Sequence, residues 1–227
     1  MSARSRDPAA LRAQPKRNGS DFWPTPQCLT RALIEHVLPD LPRAPIWECA
    51  AGDGRVAESM RTAGYSVFAS DIEPRGEAIE RRDFLRDHPP QLGLIAVTNS
   101  PFGKHLTLFI TRGLQLLDQG GIEGLVLLVR HDALMAQERV DAFNRAASVL
   151  HCNWRAVWFE GSRGNPRWTC SWLTWLPGHT GRPTAVRWLL PQQKLRQASL
   201  PFDDRIPAEV MRPHQQLNDN AEGDVAS

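Results

Sequence analysis

The chain has 227 residues, of which 41% are hydrophobic and 23% are charged. This is the composition of an ordinary globular protein, and it excludes collagen-like, coiled-coil and wholly disordered chains. The longest apolar runs, such as Leu125–Val129, are far shorter than the roughly 20 residues that span a bilayer. Because no apolar stretch follows the basic N-terminus, we expect no secretory signal, and we expect a cytoplasmic protein without a membrane segment.

The cysteines and charges indicate the redox state of the protein, whether it binds a metal, and the kind of partner it has. Four cysteines form no CxxC pair and no cluster with zinc spacing, so we expect reduced thiols and no metal. The net charge is only +2, but residues 151–196 carry seven basic side chains against one acidic side chain. This imbalance suggests an anionic partner, and a compositional preference for arginine is the alternative explanation.

Three regions are predicted along the chain. Residues 1–20 are polar and basic without periodicity, which is typical of a disordered arm. Residues 191–227 are rich in proline and polar residues and are predicted to form a mostly disordered tail. Residues 21–190 are expected to form one domain.

Helices and strands alternate within that domain. Thr25 is predicted to cap a helix with Pro26 at its first position. Further helices are predicted at Arg55–Ala63, Lys104–Leu117 and Asp132–Ser148. Strands are predicted at Pro45–Cys49, Ser66–Ile72, Leu92–Thr98, Leu125–Arg130, Trp154–Phe159, Cys170–Leu176 and Ala185–Leu190. This order predicts an α/β fold with a mostly parallel seven-stranded sheet, whose late strands form an antiparallel C-terminal hairpin at the edge.

Ligands of such sheets bind beyond the carboxyl ends of the strands. The first strand leads into Glu48–Gly54 (ECAAGDG), where small residues allow close backbone approach to a ligand. Asp71 ends the second strand, 17 residues after Gly54, where a carboxylate can accept hydrogen bonds from ribose hydroxyls. Together the two features favour a nucleoside ligand over a plain turn and a helix cap.

Three other segments combine polar groups with aromatic rings. Asp83-Phe84 is either a surface turn with an anchored ring or an adenine contact. At Asn99–Phe102 (NSPF), an amide oxygen and a backbone carbonyl can accept both hydrogens of an amine, while the ring stacks on a base. The alternative for that segment is an Asn-capped loop. Phe22 and Trp23, in a proline-flanked segment, either staple the first helix or line the mouth of the pocket.

Taken together, these segments resemble S-adenosylmethionine-dependent amino-methyltransferases, specifically the small phage and prophage DNA adenine-N6 methyltransferases. The resemblance spans about residues 20–178. TNSPF resembles the catalytic (D/N)PP(Y/F) segment of that family, although Ser100 stands where the family usually has proline. The other matching segments are FWPTP, ECAAGDG, SDI, RDF and CSWLTW.

The resemblance implies a Rossmann-like class I methyltransferase fold with helices on both faces, S-adenosyl-L-methionine as cofactor, and a role for each matching residue. Trp23, Thr25 and Pro26 would border the methionine end of the cofactor. The amino-acid portion of the cofactor would contact Glu48, Ala50, Gly52 and Gly54. Its ribose would contact Asp71, and its adenine would contact Asp83 and Phe84. The catalytic set would be Asn99, Ser100, Pro101 and Phe102.

The short interval between Gly54 and Asn99 leaves no room for a recognition domain. We therefore expect nucleic-acid contacts from Lys104, Arg163, Arg167 and Trp168, or from the N-terminal arm. A mobile surface loop is the alternative around Arg163. DNA is the expected partner of a monomeric enzyme. Three alternatives keep the methyl transfer but change the target amine to RNA adenine, cytosine N4 or protein glutamine. A fourth alternative is a binding module without turnover.

Overall fold

The computed structural model describes residues 23–158 and 167–191. The expectations for the arm, for Arg163 and for the tail beyond residue 191 lie outside these residues. In chain order the elements are α1 (Gln27–His36), β1 (Ile46–Glu48), α2 (Arg55–Thr62), β2 (Val67–Asp71), β3 (Glu80–Arg81), β4 (Ile95–Asn99), α3 (Lys104–Asp118), β5 (Gly124–Arg130), α4 (Val140–Asn144), β6 (Ser148–Val157), β7 (Arg167–Trp175) and β8 (Ala185–Leu189).

These strands form one sheet in the order β3-β2-β1-β4-β5-β7-β6-β8. Among the described strands, β7 pairs antiparallel with both β5 and β6, while the other pairings are parallel. The predicted mostly parallel sheet with an antiparallel C-terminal hairpin is therefore confirmed.

Two details of that prediction were wrong. Within the described residues the sheet has eight strands, because Glu80–Arg81, too short to produce a periodic pattern, pairs with the end of β2. The hairpin of β6 and β7 is not at the edge, since β7 lies between β5 and β6 and β8 joins the outside of β6 in parallel.

Apolar side chains cover both faces of the sheet, so the central strands are buried on both sides. On one face Val97, Leu128 and Trp172 pack with residues of α1 and α2, including Leu33 and Met60. On the other face a second cluster joins the sheet to α3; it includes Trp47, Ala96, Leu127, Leu173, Phe109 and Ile110. The predicted placement of helices on both faces is confirmed, and the carboxyl ends of the strands are left open between the two layers.

The start of α1 differs from its prediction. The helix begins at Gln27, with Pro26 as the residue before it, and no side chain caps it. Thr25 is buried instead of capping.

The predicted helix at Asp132–Ser148 was also wrong. This segment forms 3-10 turns at His131–Met135 and Gln137–Arg139, then the short α4, and β6 already begins at Ser148. The buried Arg139 guanidinium donates to Thr107 Oγ1 and to the Ala133 carbonyl, both at 3.0 Å. These bonds to α3 and to the preceding turn compete with a regular helix, so tertiary contacts override the helical period.

None of the helices in residues 23–158 and 167–191 is both long enough and apolar enough to cross a bilayer.

Candidate active site

One cleft of about 470 Å³ opens at the carboxyl ends of β1, β2 and β4. Its volume is within the range of small-molecule sites. The cleft brings together most of the residues predicted from the sequence: Trp23, Thr25, Glu48, Ala50, Gly52, Asp71, Asp83, Phe84, Asn99, Ser100, Pro101 and Phe102. Pro26 and Gly54 instead immediately precede α1 and α2, and the exposed Lys104 begins α3.

Asp71 joins the two loops that follow β1 and β2. Its Oδ2 accepts a hydrogen bond from the Gly52 N–H at 2.7 Å, and its Oδ1 accepts one from the Glu73 N–H at 2.8 Å. Gly52 has φ +58° and Gly54 has φ +80°, a backbone conformation that residues other than glycine rarely adopt. Each carboxylate oxygen keeps a further lone pair, so Asp71 can also accept from hydroxyl groups of a ligand.

Glu48 is buried beneath this turn, with 2% of its surface exposed. Burial raises the pKa of its carboxyl to about 8, and the backbone N–H of Ala57 in α2 opposes the shift. Its Oε2 atom has no hydrogen-bond partner in the described part of the chain. A buried carboxyl oxygen without a partner is costly, and a cationic or hydrogen-bond-donating ligand would satisfy it.

Asn99 supplies a second unsatisfied acceptor, at the end of β4. Its Nδ2 donates to the Trp23 carbonyl at 3.2 Å, which fixes the orientation of the amide. Its Oδ1 is buried and finds no partner among residues 23–158 and 167–191. The arrangement presents an oriented neutral acceptor next to Phe102.

Ser100 is buried at the same corner. Its hydroxyl donates to the Leu128 carbonyl of β5 at 3.4 Å. At this length the bond is weak, so Ser100 restrains the corner less than the proline that the resembling family has at this position.

Four rings form an aromatic cluster at this edge: Trp23, Phe102, Trp158 and Trp168. The Phe102 ring centroid lies 5.6 Å from that of Trp158 and 5.4 Å from that of Trp168. Because β7 is antiparallel, the beginning of β7 and the end of β6 meet at the carboxyl edge, which brings both tryptophans to Phe102. Trp168, predicted as a nucleic-acid contact, therefore packs directly on the predicted base-stacking ring.

Asp83 and Phe84 also have structural contacts. The Phe84 ring is buried and stacks on Phe109 at 4.8 Å between centroids. Asp83 accepts from the Leu85 N–H at 2.9 Å and lies 3.5 Å from the Arg86 guanidinium. Both residues line the cleft, and they also hold the loop after β3 in place.

The basic C-terminal third is only partly described. Arg163 lies outside the described residues, as does the side chain of Arg167. Arg187 forms an ion pair with Asp40 at 2.9 Å and donates to the His36 carbonyl, so it joins β8 to the segment around α1. This arginine is therefore engaged within the fold.

Sequence reasoning missed three residues at this edge: His105, which lines the cleft, Trp158 and Arg130. Arg130 ends β5, and the rule that strand ends carry the site would have found it. Within the described ranges, no group of three or more His, Cys, Asp or Glu side chains is arranged to hold a metal ion.

Solved structures share this architecture. A candidate RNA methyltransferase from Pyrococcus horikoshii matches with a TM-score of 0.53 and 12% sequence identity, over 77% of this chain and 96% of that chain. The methyltransferase subunit of a type I restriction-modification system from Streptococcus thermophilus matches with a TM-score of 0.50 and 11% identity, over 73% and 46%. The fold is that of the class I methyltransferases. At these identities, the likeness establishes the fold alone.

A candidate class I S-adenosylmethionine-dependent methyltransferase from Listeria monocytogenes has a TM-score of 0.49 and 14% identity, over 73% of this chain and 65% of that chain. The chain thus spans less than two thirds of the Listeria protein and of the Streptococcus subunit. No protein-family model matches the sequence, and comparison with curated proteins gave no significant match.

Proposed function

We propose that this protein is an S-adenosyl-L-methionine-dependent N-methyltransferase whose target is the N6 amine of adenine in DNA. The observation that carries the proposal is the Asn99 amide: its nitrogen is bonded to the Trp23 carbonyl, and its buried oxygen has no partner in the described part of the chain. An oriented acceptor without a partner, next to an aromatic ring, suits a planar amine.

The chemistry explains why such an acceptor is needed. The lone pair of an adenine amine is delocalised into the ring, so the amine is a weak nucleophile. Hydrogen bonds from its two hydrogens to Asn99 Oδ1 and to the Ser100 carbonyl would favour a pyramidal nitrogen with a directed lone pair. Phe102 would stack on the base and exclude water. Orientation and electrostatics, rather than a strong base, would then supply the rate enhancement.

The opposite side of the cleft fits the cofactor. When bound, S-adenosyl-L-methionine supplies an electrophilic methyl group on its sulfonium. The unsatisfied Glu48 oxygen suits the ammonium of the cofactor's amino-acid portion, and Asp71, fixed by two backbone N–H groups, suits ribose hydroxyls. The turn at Gly52 leaves the backbone open to close approach.

A nucleobase fits the target side better than a protein side chain does. The aromatic cluster offers flat apolar surfaces to a base, and stacking is worth about 1–3 kcal/mol per base. A glutamine side chain would use little of this surface. Adenine and DNA in particular rest on the resemblance of NSPF to the family's catalytic segment, and a base in duplex DNA must first be flipped out.

The test is incubation of the purified protein with tritiated-methyl cofactor and separate pools of DNA, RNA and protein. We expect label in DNA, and about 100-fold less or lower still in a matched reaction with Asn99→Ala. Label in RNA or protein alone would overturn DNA as the substrate while leaving the protein a methyltransferase. Cofactor binding without label in any pool would instead identify a binding module without turnover.

A further inference from the structure

Arg130 ends β5, next to the end of β4 that carries Asn99. Its guanidinium carbon lies 4.3 Å from the ring centroid of Trp168 and 5.6 Å from that of Phe102. A cation at these distances is attracted to the ring faces. Arg130 therefore places a positive charge over Phe102, the ring predicted to stack on the target base.

The same guanidinium forms an ion pair with Asp132. Its Nε donates to Asp132 Oδ1 at 3.0 Å, and its Nη2 donates to Asp132 Oδ2. The side chains are 27% and 64% exposed, respectively. Asp132 therefore binds Arg130 through both carboxylate oxygens. Because the Asp132 side chain is 64% exposed, a second anion can approach the pair from solvent.

A phosphodiester can replace the carboxylate in this arrangement. Its two non-bridging oxygens match the fork of the guanidinium as carboxylate oxygens do, and they carry one negative charge. A nucleotide whose base lies on Phe102 has its phosphates within a few ångströms of that base. The rim of the aromatic cluster is where such a phosphate would pass.

We propose that Arg130 binds a backbone phosphate beside the target base, and that Asp132 holds the arginine in place until the phosphate displaces it. The inference rests on the proposed function and deepens it, since it makes the substrate a polynucleotide and not a free base or a peptide. Neither residue was among the contacts predicted from the sequence.

The chain contains a matched control pair. Arg145 donates to Asp118 through two bonds of 2.5 and 3.2 Å, and the side chains are 30% and 56% exposed. Helix α3 begins at Lys104, just after the NSPF corner, and ends at Asp118. Asp118 is therefore 14 residues from the start of the helix, which is about 21 Å along the helix axis. The control pair therefore has the same chemistry and exposure at the opposite edge of the sheet.

The experiment measures binding of the full chain to a fluorescently labelled DNA duplex as the salt concentration is varied. Arg130→Ala is expected to lower affinity about tenfold, as for a lost charge-assisted bond, and to reduce the slope of log affinity against log salt by about 0.9, as for one phosphate. Arg130→Lys should keep the slope with intermediate affinity. Arg145→Ala should leave the slope unchanged.

Asp132 is tested in the same assay. Asp132→Asn should raise affinity about threefold, because the competing carboxylate is removed. Asp118→Asn should not, although it changes the net charge equally. The gain should also disappear when Asp132→Asn is combined with Arg130→Ala, since Asp132 acts through the arginine.

The possible results distinguish failure of the phosphate contact, failure of the displacement by phosphate, and failure of DNA as the substrate. If the wild type binds DNA and Arg130→Ala keeps the slope of Arg145→Ala, the phosphate contact is overturned and the proposed function stands. If Asp132→Asn gains no more than Asp118→Asn, the displacement by phosphate is overturned. If the wild type fails to bind DNA, both the inference and DNA as the substrate are overturned.

Discussion

The two sides of the cleft use opposite chemistries within one sheet edge. At the ends of β1 and β2, Glu48 and Asp71 are carboxylic acids, and backbone N–H groups of the glycine turn and α2 hold them. At the end of β4, Asn99 is a neutral amide beside the aromatic cluster. Acids suit a ligand that carries an ammonium and hydroxyls, whereas a neutral amide suits a flat, uncharged amine. Under the proposed function, these two sides of the cleft take two different molecules, the cofactor and the target base.

The largest expected effect separates the two sides. Asn99→Ala removes the acceptor on the target side and should lower methyl transfer by about 100-fold or more, as for loss of one preorganised polar group. Cofactor affinity should stay close to that of the wild type. Steady-state kinetics together with calorimetry check both, with the exposed Asn144→Ala as the control. Equal losses in both quantities would mean that the two sides are not separate.

Glu48→Gln tests the buried acid through stability. The unfolded-state pKa is near 4.5 and the folded-state pKa is about 8, so the wild type loses stability as pH rises from 4.5 to 8. At pH 7 the penalty is on the order of 3 kcal/mol, at about 1.4 kcal/mol per pKa unit. Glu48→Gln should therefore be more stable than the wild type at pH 7, with a difference that vanishes near pH 4.

Urea denaturation at both pH values measures this difference. Glu58→Gln on the exposed face of α2 is the matched control and should change little at either pH. A stability gain for Glu48→Gln that does not depend on pH would contradict the raised pKa. In the same variant, cofactor affinity should fall, since the ammonium loses a carboxyl group that could ionise when the cofactor binds, and glutamine cannot ionise.

Asp71→Ala tests the contribution of the cofactor side of the cleft to cofactor affinity. The ribose hydroxyls should lose a charged acceptor worth about 1.5–3 kcal/mol, which lowers cofactor affinity about 10- to 150-fold. Transfer at saturating cofactor should be much less affected. Calorimetry checks the affinity, and Asp141→Ala on α4 is the control. Unchanged affinity in folded protein would remove Asp71 from the site.

Ser100→Pro should have the smallest effect. The role assigned to residue 100 belongs to its carbonyl, and the 3.4 Å hydroxyl bond to Leu128 is long enough to contribute little. Activity should stay within about threefold of the wild type, with the proline replacing the lost restraint. Initial rates on one DNA substrate measure it. An inactive wild type rescued by this change would favour the binding-module alternative.

The cofactor side was easier to predict from the sequence than the target side. The cofactor side is predicted by local sequence patterns, namely a glycine turn after one strand and Asp71 at the end of the next. Because the carboxyl ends of parallel strands meet at one edge of the sheet, these two patterns are expected to lie together. The order of β1, β2 and β4 then follows from parallel crossover connections. Glu80–Arg81 escaped notice because two residues show no period.

The target side depends on long-range topology. Trp158 and Trp168 reach Phe102 only because β7 inserts antiparallel between β5 and β6, and periodicity does not encode strand order. The false helix at Asp132–Ser148 has the same cause, since the bonds of Arg139 to distant groups determine its local structure.

Nucleoside mass spectrometry on DNA treated with the wild-type protein and S-adenosyl-L-methionine identifies the atom that receives the methyl group, and so tests whether that atom is the N6 nitrogen of adenine. We expect N6-methyldeoxyadenosine, with a yield lower by about 100-fold or more after treatment with Asn99→Ala. Methylation at a ring carbon, such as C5 of cytosine, would contradict it, because an acceptor for amine hydrogens at Asn99 would then have no role in the reaction.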